Sequence, residues 1–263
     1  MMKSKTLKIY RALAMAVVML LGICASNGAQ AQSSLFGPMS SGPYDWSGLY
    51  IGGHAGWGEA GWNIDGDAGP FDGSTIGLPY DFDDSGLVVG GTIGYNYLFD
   101  HGMADGHRLL VGIEADIGYI GIDETHRFDT DFDLAQQQLG FYADITGRVG
   151  LVFDRFLIYA KGGVAFADID LRAADFDGGG TVLDTNDLTT LSGIRTGYVV
   201  GGGIDIALNE IWSVNAEYRY MDFGTEYSTN LDTDDWYHKN DVHLVTIGVK
   251  AKLGDLFGPM GAN

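Results

Sequence analysis

The sequence predicts an all-β protein, an eight-stranded antiparallel transmembrane β-barrel with short periplasmic turns and four long extracellular loops. Two observations carry this prediction. Eight segments alternate apolar residues with polar or small ones at a period of two, as a strand with one apolar face does. The connections between these segments run long, short, long, short, long, short, long, and membrane barrels sort their connections in this way.

The N-terminus carries an export signal. A basic n-region precedes the apolar run 12–25, and an A-x-A cleavage site follows that run. The residues concerned are Lys3, Lys5, Lys8 and Arg11, and then Ala29-Gln30-Ala31. Residues 1–31 are therefore predicted to be a signal peptide that is removed after Ala31, and residues 32–47 a periplasmic flank.

The only cysteine, Cys24, lies inside this signal segment. A lipoprotein signal is the alternative, but Ile23 is a poor fit to the small residue that such a signal has before its cysteine. With the signal removed, the exported chain has no thiol, which excludes a disulfide scaffold and a cysteine nucleophile.

The hairpin at 197–223 shows the strand pattern most clearly. Its apolar residues take one set of alternate positions, whereas Asp205, Asn215 and Glu217 take the other set. In chain order, the apolar faces use the odd positions of 49–57, 87–99, 109–119, 139–151 and 245–251, and the even positions of 158–166, 198–208 and 212–220. We predict that the apolar face contacts lipid and that the other face lines the lumen. The barrel is predicted to span residues 48–253, followed by a tail at 254–263.

The long connections are acidic. Taken as 58–85, 121–137, 168–195 and 222–241, they hold 24 acidic residues against four basic ones. The whole chain has a formal net charge of −20 at pH 7, so nucleic acid is not expected as a partner. The acidic surface is predicted to be a solvated one, or one that bridges to lipopolysaccharide through divalent cations.

Short motifs spread from residue 44 to 253 resemble the small outer-membrane barrels of alphaproteobacteria, which are related to the OmpA-type transmembrane domain. They are YDWSGLYIG (44–52), GYNY (94–97), GIEAD (112–116), GRVG (147–150), YAKGGVA (159–165), GYVVGGG (197–203) and EYRYMD (217–222). The resemblance implies a major surface protein of the bacterial cell outer membrane that contributes to envelope integrity and host contact. It also implies outer-membrane lipids, lipopolysaccharide and the insertion machinery as partners. Such chains usually end on an aromatic residue, where this one has Leu253.

The inward positions of the predicted strands collect charges of both signs. They are Glu114, Asp116, Asp144, Asp205 and Glu217 with Arg148, Lys161, Arg219 and Lys250. A narrow barrel holds only its own side chains, and unpaired charges there are costly. We therefore predict a lumen plugged by a salt-bridge network. Inward glycines, namely Gly52, Gly56, Gly90, Gly94, Gly197 and Gly201, are predicted to leave room for these long side chains.

No site for an enzyme, a cofactor or a metal is predicted. The six histidines show no spacing to a nucleophile, and no helix pattern follows the glycine clusters. The segment 129–133 resembles the start of a calcium loop, but Leu134 replaces the required glycine.

Two alternatives to a structural role stay open: a weak small-solute channel and a receptor for haemin or a host surface. The residues that could bind a haem iron are His126, Tyr227, Tyr237 and His238.

Overall fold

The computed structural model of the protein describes residues 44–66, 80–99, 107–127, 134–174, 189–229 and 235–256. Eight strands take up most of these residues, and one short helix follows. They are β1 (Gly48–Gly66), β2 (Tyr80–Leu98), β3 (Arg108–Arg127), β4 (Leu134–Phe153), β5 (Phe156–Ala174), β6 (Thr189–Ala207), β7 (Trp212–Thr229), β8 (Asp235–Lys252) and α1 (Leu253–Leu256). Each strand pairs antiparallel with the next, and β8 pairs with β1. The predicted fold class, a closed eight-stranded antiparallel barrel, is confirmed.

Three predicted segments lie wholly or mostly outside the described residues, namely the signal peptide, the flank before Tyr44 and the tail, of which only 254–256 are described. Among the residues that are described, no helical stretch has the length and apolar character required to traverse a bilayer.

The strands are longer than the sequence pattern indicates. Each has 18 to 20 residues, whereas the apolar alternation marks only about ten, enough to cross a membrane. The extra length lies at one end of the barrel, where strands continue into the segments predicted as loops. Only 67–79, 128–133, 175–188 and 230–234 remain between strands there, so the predicted loop boundaries were wrong. These extensions are rich in charged and small polar residues and therefore lack the apolar signal, although the strand ladder continues.

The outer surface is apolar over the region where all eight strands pair. Large apolar side chains are exposed there on every strand except β7, for example Ile117 at 62% and Phe141 at 63%. A water-soluble protein rarely exposes so wide an apolar surface, whereas a membrane barrel presents it to lipid. The exposed side chains within the predicted segments all occupy predicted outward positions. Four further predicted outward residues are at most 8% exposed, namely Ile206, Val214, Val245 and Ala251.

Leu139 lies in the interior, although the prediction put it on the outward face with Phe141. It is 1% exposed and packs inside the barrel. Leu139 pairs with Ile169 and Tyr142 pairs with Ala167, so two β4 residues lie opposite one β5 residue. This β-bulge breaks the alternation of faces, and a strict period of two does not detect it.

The interior has three levels along the barrel axis. An apolar lower layer lies at the end with the short connections 99–107, 154–155 and 208–211, and an apolar upper layer lies toward the other end. The lower layer consists of Tyr44, Trp46, Leu98, Leu110, Val152, Leu157, Tyr159 and Ala207. The upper layer consists of Ala60, Val88, Ile120, Ile122, Leu139, Tyr142, Ala165, Ala167, Ile169, Val199, Met221, Phe223, Val242 and Leu244. Charged side chains fill the level between them.

Beyond the apolar band the barrel divides into two four-stranded sheets. The β2–β3 register begins at Val88 opposite Ile120, and the β6–β7 register begins at Tyr198 opposite Asp222. The other six pairings extend further, so β7-β8-β1-β2 forms one sheet and β3-β4-β5-β6 the other. We call the two places where the sheets part the β2/β3 seam and the β6/β7 seam.

Candidate functional site in the barrel lumen

Nine charged side chains from six consecutive strands meet between the two apolar layers. Each occupies an inward position of its strand, and each is at most 6% exposed. They are Glu114 and Asp116 on β3, Asp144 and Arg148 on β4, Lys161 on β5, Asp205 on β6, Glu217 and Arg219 on β7, and Lys250 on β8. The structure thus brings together all nine residues that the sequence analysis singled out.

Glu114 is the centre of the half of this cluster nearer the lower layer. Its Oε1 lies 2.7 Å from Lys161 Nζ, and its Oε2 accepts a 2.7 Å hydrogen bond from the Tyr50 hydroxyl. Arg148 Nη1 and Lys250 Nζ each lie 3.4 Å from the same Oε2. One carboxylate therefore faces three cations from three different strands.

Lys161 joins Glu114 to a second carboxylate. Its Nζ lies 3.0 Å from Glu217 Oε1, and Glu217 Oε2 accepts a 2.6 Å hydrogen bond from the Tyr159 hydroxyl. Lys250 similarly reaches a further acid, because its Nζ lies 3.2 Å from Asp205 Oδ2. Lys161 and Lys250 are thus each shared by two acids, which compensates each charge for the water it has lost.

Arg148 is held by aromatic rings as well as by charges. Its guanidinium carbon lies 4.8 Å from the Tyr50 ring centre and 5.0 Å from the Tyr159 ring centre, distances at which a cation interacts with the faces of both rings. Its Nε donates a 2.9 Å hydrogen bond to Asn96 Oδ1. Asn96 in turn donates to the Trp46 carbonyl oxygen at 3.1 Å, which connects the charged level to the lower layer.

Arg219 organises the half of the cluster nearer the upper layer. Its Nη1 lies 2.8 Å from both Asp116 Oδ1 and Asp144 Oδ2, and its Nη2 donates to the Tyr142 hydroxyl at 3.2 Å. Its Nε lies 3.1 Å from Glu217 Oε1. Since Glu217 also contacts Lys161, a single chain of ionic contacts runs through both halves.

The sequence analysis missed the uncharged members of this cluster. Tyr50, Tyr142, Tyr159, Asn96 and His54 all face inward, and His54 Nε2 lies 2.9 Å from the Tyr142 hydroxyl oxygen. The signal that identifies them is the period-two pattern itself, which puts these tyrosines on the same inward positions as the charged residues.

The inward glycines make room for more than the charged side chains. A Cβ on Gly52 would lie 2.9 Å from Lys250 Cγ, and one on Gly201 would lie 3.2 Å from Arg219 Cγ. A Cβ on Gly90 would lie 2.5 Å from His54, and one on Gly94 would meet the Tyr50 ring. At Gly56 and Gly197 a Cβ would meet the main-chain carbonyls of Val245 and Asp222. Room for a charged side chain therefore explains Gly52 and contributes at Gly201, where the Tyr218 main-chain carbonyl oxygen would be nearer at 2.5 Å. Gly90 and Gly94 make room for uncharged side chains.

The lower layer includes the end of the segment predicted as a flank. Trp46 Nε1 donates a 3.2 Å hydrogen bond to the Asp154 carbonyl oxygen in the β4–β5 turn, where Asp154 has a φ of 57°. Asp45 lies 3.0 Å from Lys252 Nζ at the end of β8. Partial burial raises the pKa of Asp45, but hydrogen bonds from Ser47 and the contact with Lys252 outweigh it and lower that pKa below its ordinary value. Residues 44–47 thus lie across the short-turn end of the barrel and are bonded to the β4–β5 turn and to the end of β8.

Two small cavities lie at the charged level. One of about 20 Å³ is bordered by Trp46, Asn96 and Lys250, and one of about 10 Å³ by His54, Asp116 and Glu217. Such volumes suit about one water molecule each.

The residues proposed for a haem iron do not all converge. Tyr227 lies opposite Tyr237 in the β7–β8 pairing, and His238 is next along β8, whereas His126 lies on β3 opposite Ala135. Within the described ranges, no group of three or more histidine, cysteine, aspartate or glutamate residues could hold a metal ion. The segment 129–133, which resembles a calcium loop, lies outside those ranges.

The comparison with known families decides what kind of barrel this is. The model of the outer membrane protein beta-barrel domain matches residues 15–252. The chain belongs to this family. Its barrel therefore lies in the bacterial outer membrane, as the resemblance implied, and the exposed apolar band faces the lipid of that membrane.

Curated relatives of this outer-membrane barrel cover most of the chain. It is 24% identical over 218 residues to the 31 kDa outer-membrane immunogenic protein of Brucella melitensis biotype 1, covering 80% of this chain and 85% of that one. It is 26% identical over 208 residues to the 22 kDa outer membrane protein of Rhizobium leguminosarum bv. viciae, covering 79% and 78%. Both relatives are named as outer-membrane proteins, and neither name refers to a reaction.

Solved structures with a similar fold include an outer membrane protein and a surface protein. OprG from Pseudomonas aeruginosa is 16% identical, with a TM-score of 0.40, and covers 78% of this chain and 97% of that one. Neisserial surface protein A is 14% identical, with a TM-score of 0.39, and covers the same shares of the two chains.

Proposed function

We propose that this outer-membrane barrel is a closed, non-enzymatic scaffold that stabilises the envelope and carries a polar surface structure outside the cell. The observation that carries the proposal is the continuous ionic cluster between two apolar layers. Side chains of the barrel occupy the lumen at all three levels, and the cavities at the charged level suit about one water molecule each.

The electrostatics of the lumen favour a permanent plug over a passage for solutes. The cluster holds five acids and four cations, and all nine take part in ion pairs within 4 Å. Removing one partner of a buried pair costs several kcal/mol. Any solute that separated these groups would have to supply equivalent contacts to the charges of the middle level.

The surface role rests on the strand extensions. They lengthen the barrel beyond its apolar band at the end opposite the short turns, and we place that end outside the cell because outer-membrane barrels keep their short turns in the periplasm. A relative named an immunogenic outer-membrane protein supports contact between this family and a host. Lipopolysaccharide and the insertion machinery are the expected envelope partners. A haemin or host-surface receptor role stays a prediction from the sequence.

Conductance in a planar bilayer tests the proposal. Single copies of the refolded protein should give no sustained large single-channel current, because the ionic cluster and both apolar layers block ions. A porin refolded by the same procedure serves as the positive control. A stable large conductance from the wild-type protein would contradict the closed scaffold and favour the small-solute channel.

A further inference from the structure

One part of the outward face departs from the apolar band. Among its described residues, β7 exposes no large apolar side chain, whereas its neighbours β6 and β8 expose Val200 and Val249. Polar and aromatic groups stand on this part of the outward face. They are Tyr198 on β6, Tyr218, Tyr220 and Asp222 on β7, and Asp241 and His243 on β8. We call these side chains the tyrosine–aspartate patch.

The patch lies at the upper limit of the region where all eight strands pair. Tyr198 and Asp222 lie opposite each other at the point where the β6/β7 seam begins. Lipid headgroups meet a membrane barrel at the edges of its apolar band, where tyrosines concentrate. A lipid that packs along β6 and β7 therefore brings its headgroup to these side chains.

Asp222 fixes the two outer tyrosines of the patch. The hydroxyls of Tyr198 and Tyr220 each donate to Asp222 Oδ2 at 3.2 Å, and Gly224 N donates to Oδ1 at 2.8 Å. The two rings meet edge to face with their centres 6.2 Å apart. The Tyr198 side chain is thus held beside a carboxylate while the residue stays 51% exposed.

His243 extends the aromatic surface to β8. Its Nε2 lies 3.2 Å from Asp241 Oδ2, and its Nδ1 lies 2.8 Å from the Tyr218 hydroxyl oxygen. Its ring centre lies 5.0 Å from that of Tyr220. Aromatic groups therefore continue without a break from β6 to β8, with a carboxylate at each end.

The two carboxylates select a positive ligand. Asp222 and Asp241 are direct partners in the β7–β8 register, and like charges in such a pair destabilise a sheet. Among the described side chains, neither carboxylate contacts a lysine or an arginine. An organic cation between them would relieve their repulsion, and tyrosine faces within about 6 Å would attract it as well. An anionic headgroup would be repelled.

We propose that the tyrosine–aspartate patch binds the headgroup of a zwitterionic phospholipid. Its ammonium group lies between Asp222 and Asp241 and against the tyrosine rings, and its acyl chains lie along β6 and β7. This site goes beyond the closed scaffold, because it lies on the outer surface and does not depend on whether the barrel conducts.

The test is native mass spectrometry of the refolded full barrel, released from detergent micelles that contain three lipids with identical acyl chains. Phosphatidylcholine is the probe. Phosphatidylglycerol has a net negative charge and no ammonium group, and monogalactosyldiacylglycerol has an uncharged sugar headgroup. We expect the barrel to retain phosphatidylcholine about tenfold more than either, because it alone offers a cation to the carboxylates and rings.

Variants of the protein locate the binding. The double variant Asp222→Asn/Asp241→Asn keeps an acceptor for each hydrogen bond but removes both charges. It should reduce retention of phosphatidylcholine to within about twofold of the galactolipid. The matched control, Asp168→Asn/Asp170→Asn, removes the same charge from β5, which lies two strands from β7. It should leave the preference unchanged.

Nuclear Overhauser effects on the wild-type barrel in phosphatidylcholine nanodiscs remove the dependence on variant folding. The choline methyl protons should show stronger effects to the rings of Tyr198 and Tyr220 than to that of Tyr119. Tyr119 is an exposed tyrosine on β3 that packs against Phe141.

Four results would overturn the proposal. Three of them are equal retention of the galactolipid, an unchanged preference in the patch variant, and equal Overhauser effects at Tyr119. The fourth is retention of phosphatidylglycerol that rises above that of phosphatidylcholine when Mg²⁺ is added, which would assign the carboxylates to a metal-bridged phosphate.

Discussion

Lys161 connects the two halves of the lumen cluster, because it forms ion pairs with both Glu114 and Glu217. Its ammonium group lies 2.7 Å from Glu114 and 3.0 Å from Glu217, with no exposed surface on its side chain. The sequence identifies this lysine as inward-facing from its alternate position alone. The choice of partners depends on strand stagger and rotamers, which the spacing of residues along one strand does not contain.

Replacing Lys161 by methionine should therefore destabilise the barrel by about 3–5 kcal/mol, because two buried carboxylates lose their shared cation. The double variant Lys161→Met/Glu217→Gln should recover part of this loss, since one of the uncompensated charges is then removed. Urea unfolding of the refolded protein in lipid vesicles, followed by tryptophan fluorescence, measures both values.

Lys252→Met is the matched control for this prediction. Lys252 pairs with Asp45, whose side chain is 59% exposed, and an ion pair of this kind contributes at most about 1 kcal/mol. Equal losses for Lys161→Met and Lys252→Met would mean that the lumen pairs are as weak as surface pairs, which would contradict the structural role of the cluster.

The strands show how far the period-two pattern determines the fold. On β5 the pattern predicts the outward and inward sets correctly, and the glycines at 162 and 163 belong to opposite faces. The pattern fails at Leu139 because a bulge depends on pairing between strands. It also fails where strands leave the lipid, because water accepts polar side chains on either face of a sheet.

Adjacent glycines on β5 allow a sharp test of the two faces. A Cβ on Gly163 would meet the Ile145 carbonyl and lie 2.8 Å from Thr146 Cα, whereas a Cβ on Gly162 has its nearest contact at 3.5 Å. Gly163→Ala should therefore destabilise the barrel by about 1–3 kcal/mol through overpacking against the main chain. Gly162→Ala should be neutral or slightly stabilising. Equal values from urea unfolding would show that the two positions do not lie on different faces.

The apolar layers of the lumen close the barrel in addition to the ionic cluster. The cluster joins β3 to β8 through shared charges, so it holds strands together as well as filling the lumen. The upper and lower layers are apolar and buried, and neither offers an ion a substitute for its water of hydration. Each layer alone is therefore expected to block ion flow, even when the other is opened.

Truncating the lower layer tests this expectation. Trp46→Ala should admit water to the charged level from the short-turn end, because Trp46 borders the cavity that also contacts Ser213. A cysteine at position 213 should then react faster with a water-soluble thiol reagent than it does in the presence of Trp46. A cysteine at position 199 in the upper layer, where Val199 is 0% exposed, should stay slow in both backgrounds. The protein without its signal has no other cysteine to react.

In a planar bilayer Trp46→Ala should remain closed, since the upper layer is intact. Sustained conductance from this variant would show that the upper layer does not seal the lumen, and unchanged labelling at position 213 would show that residues 44–47 do not seal the lower end.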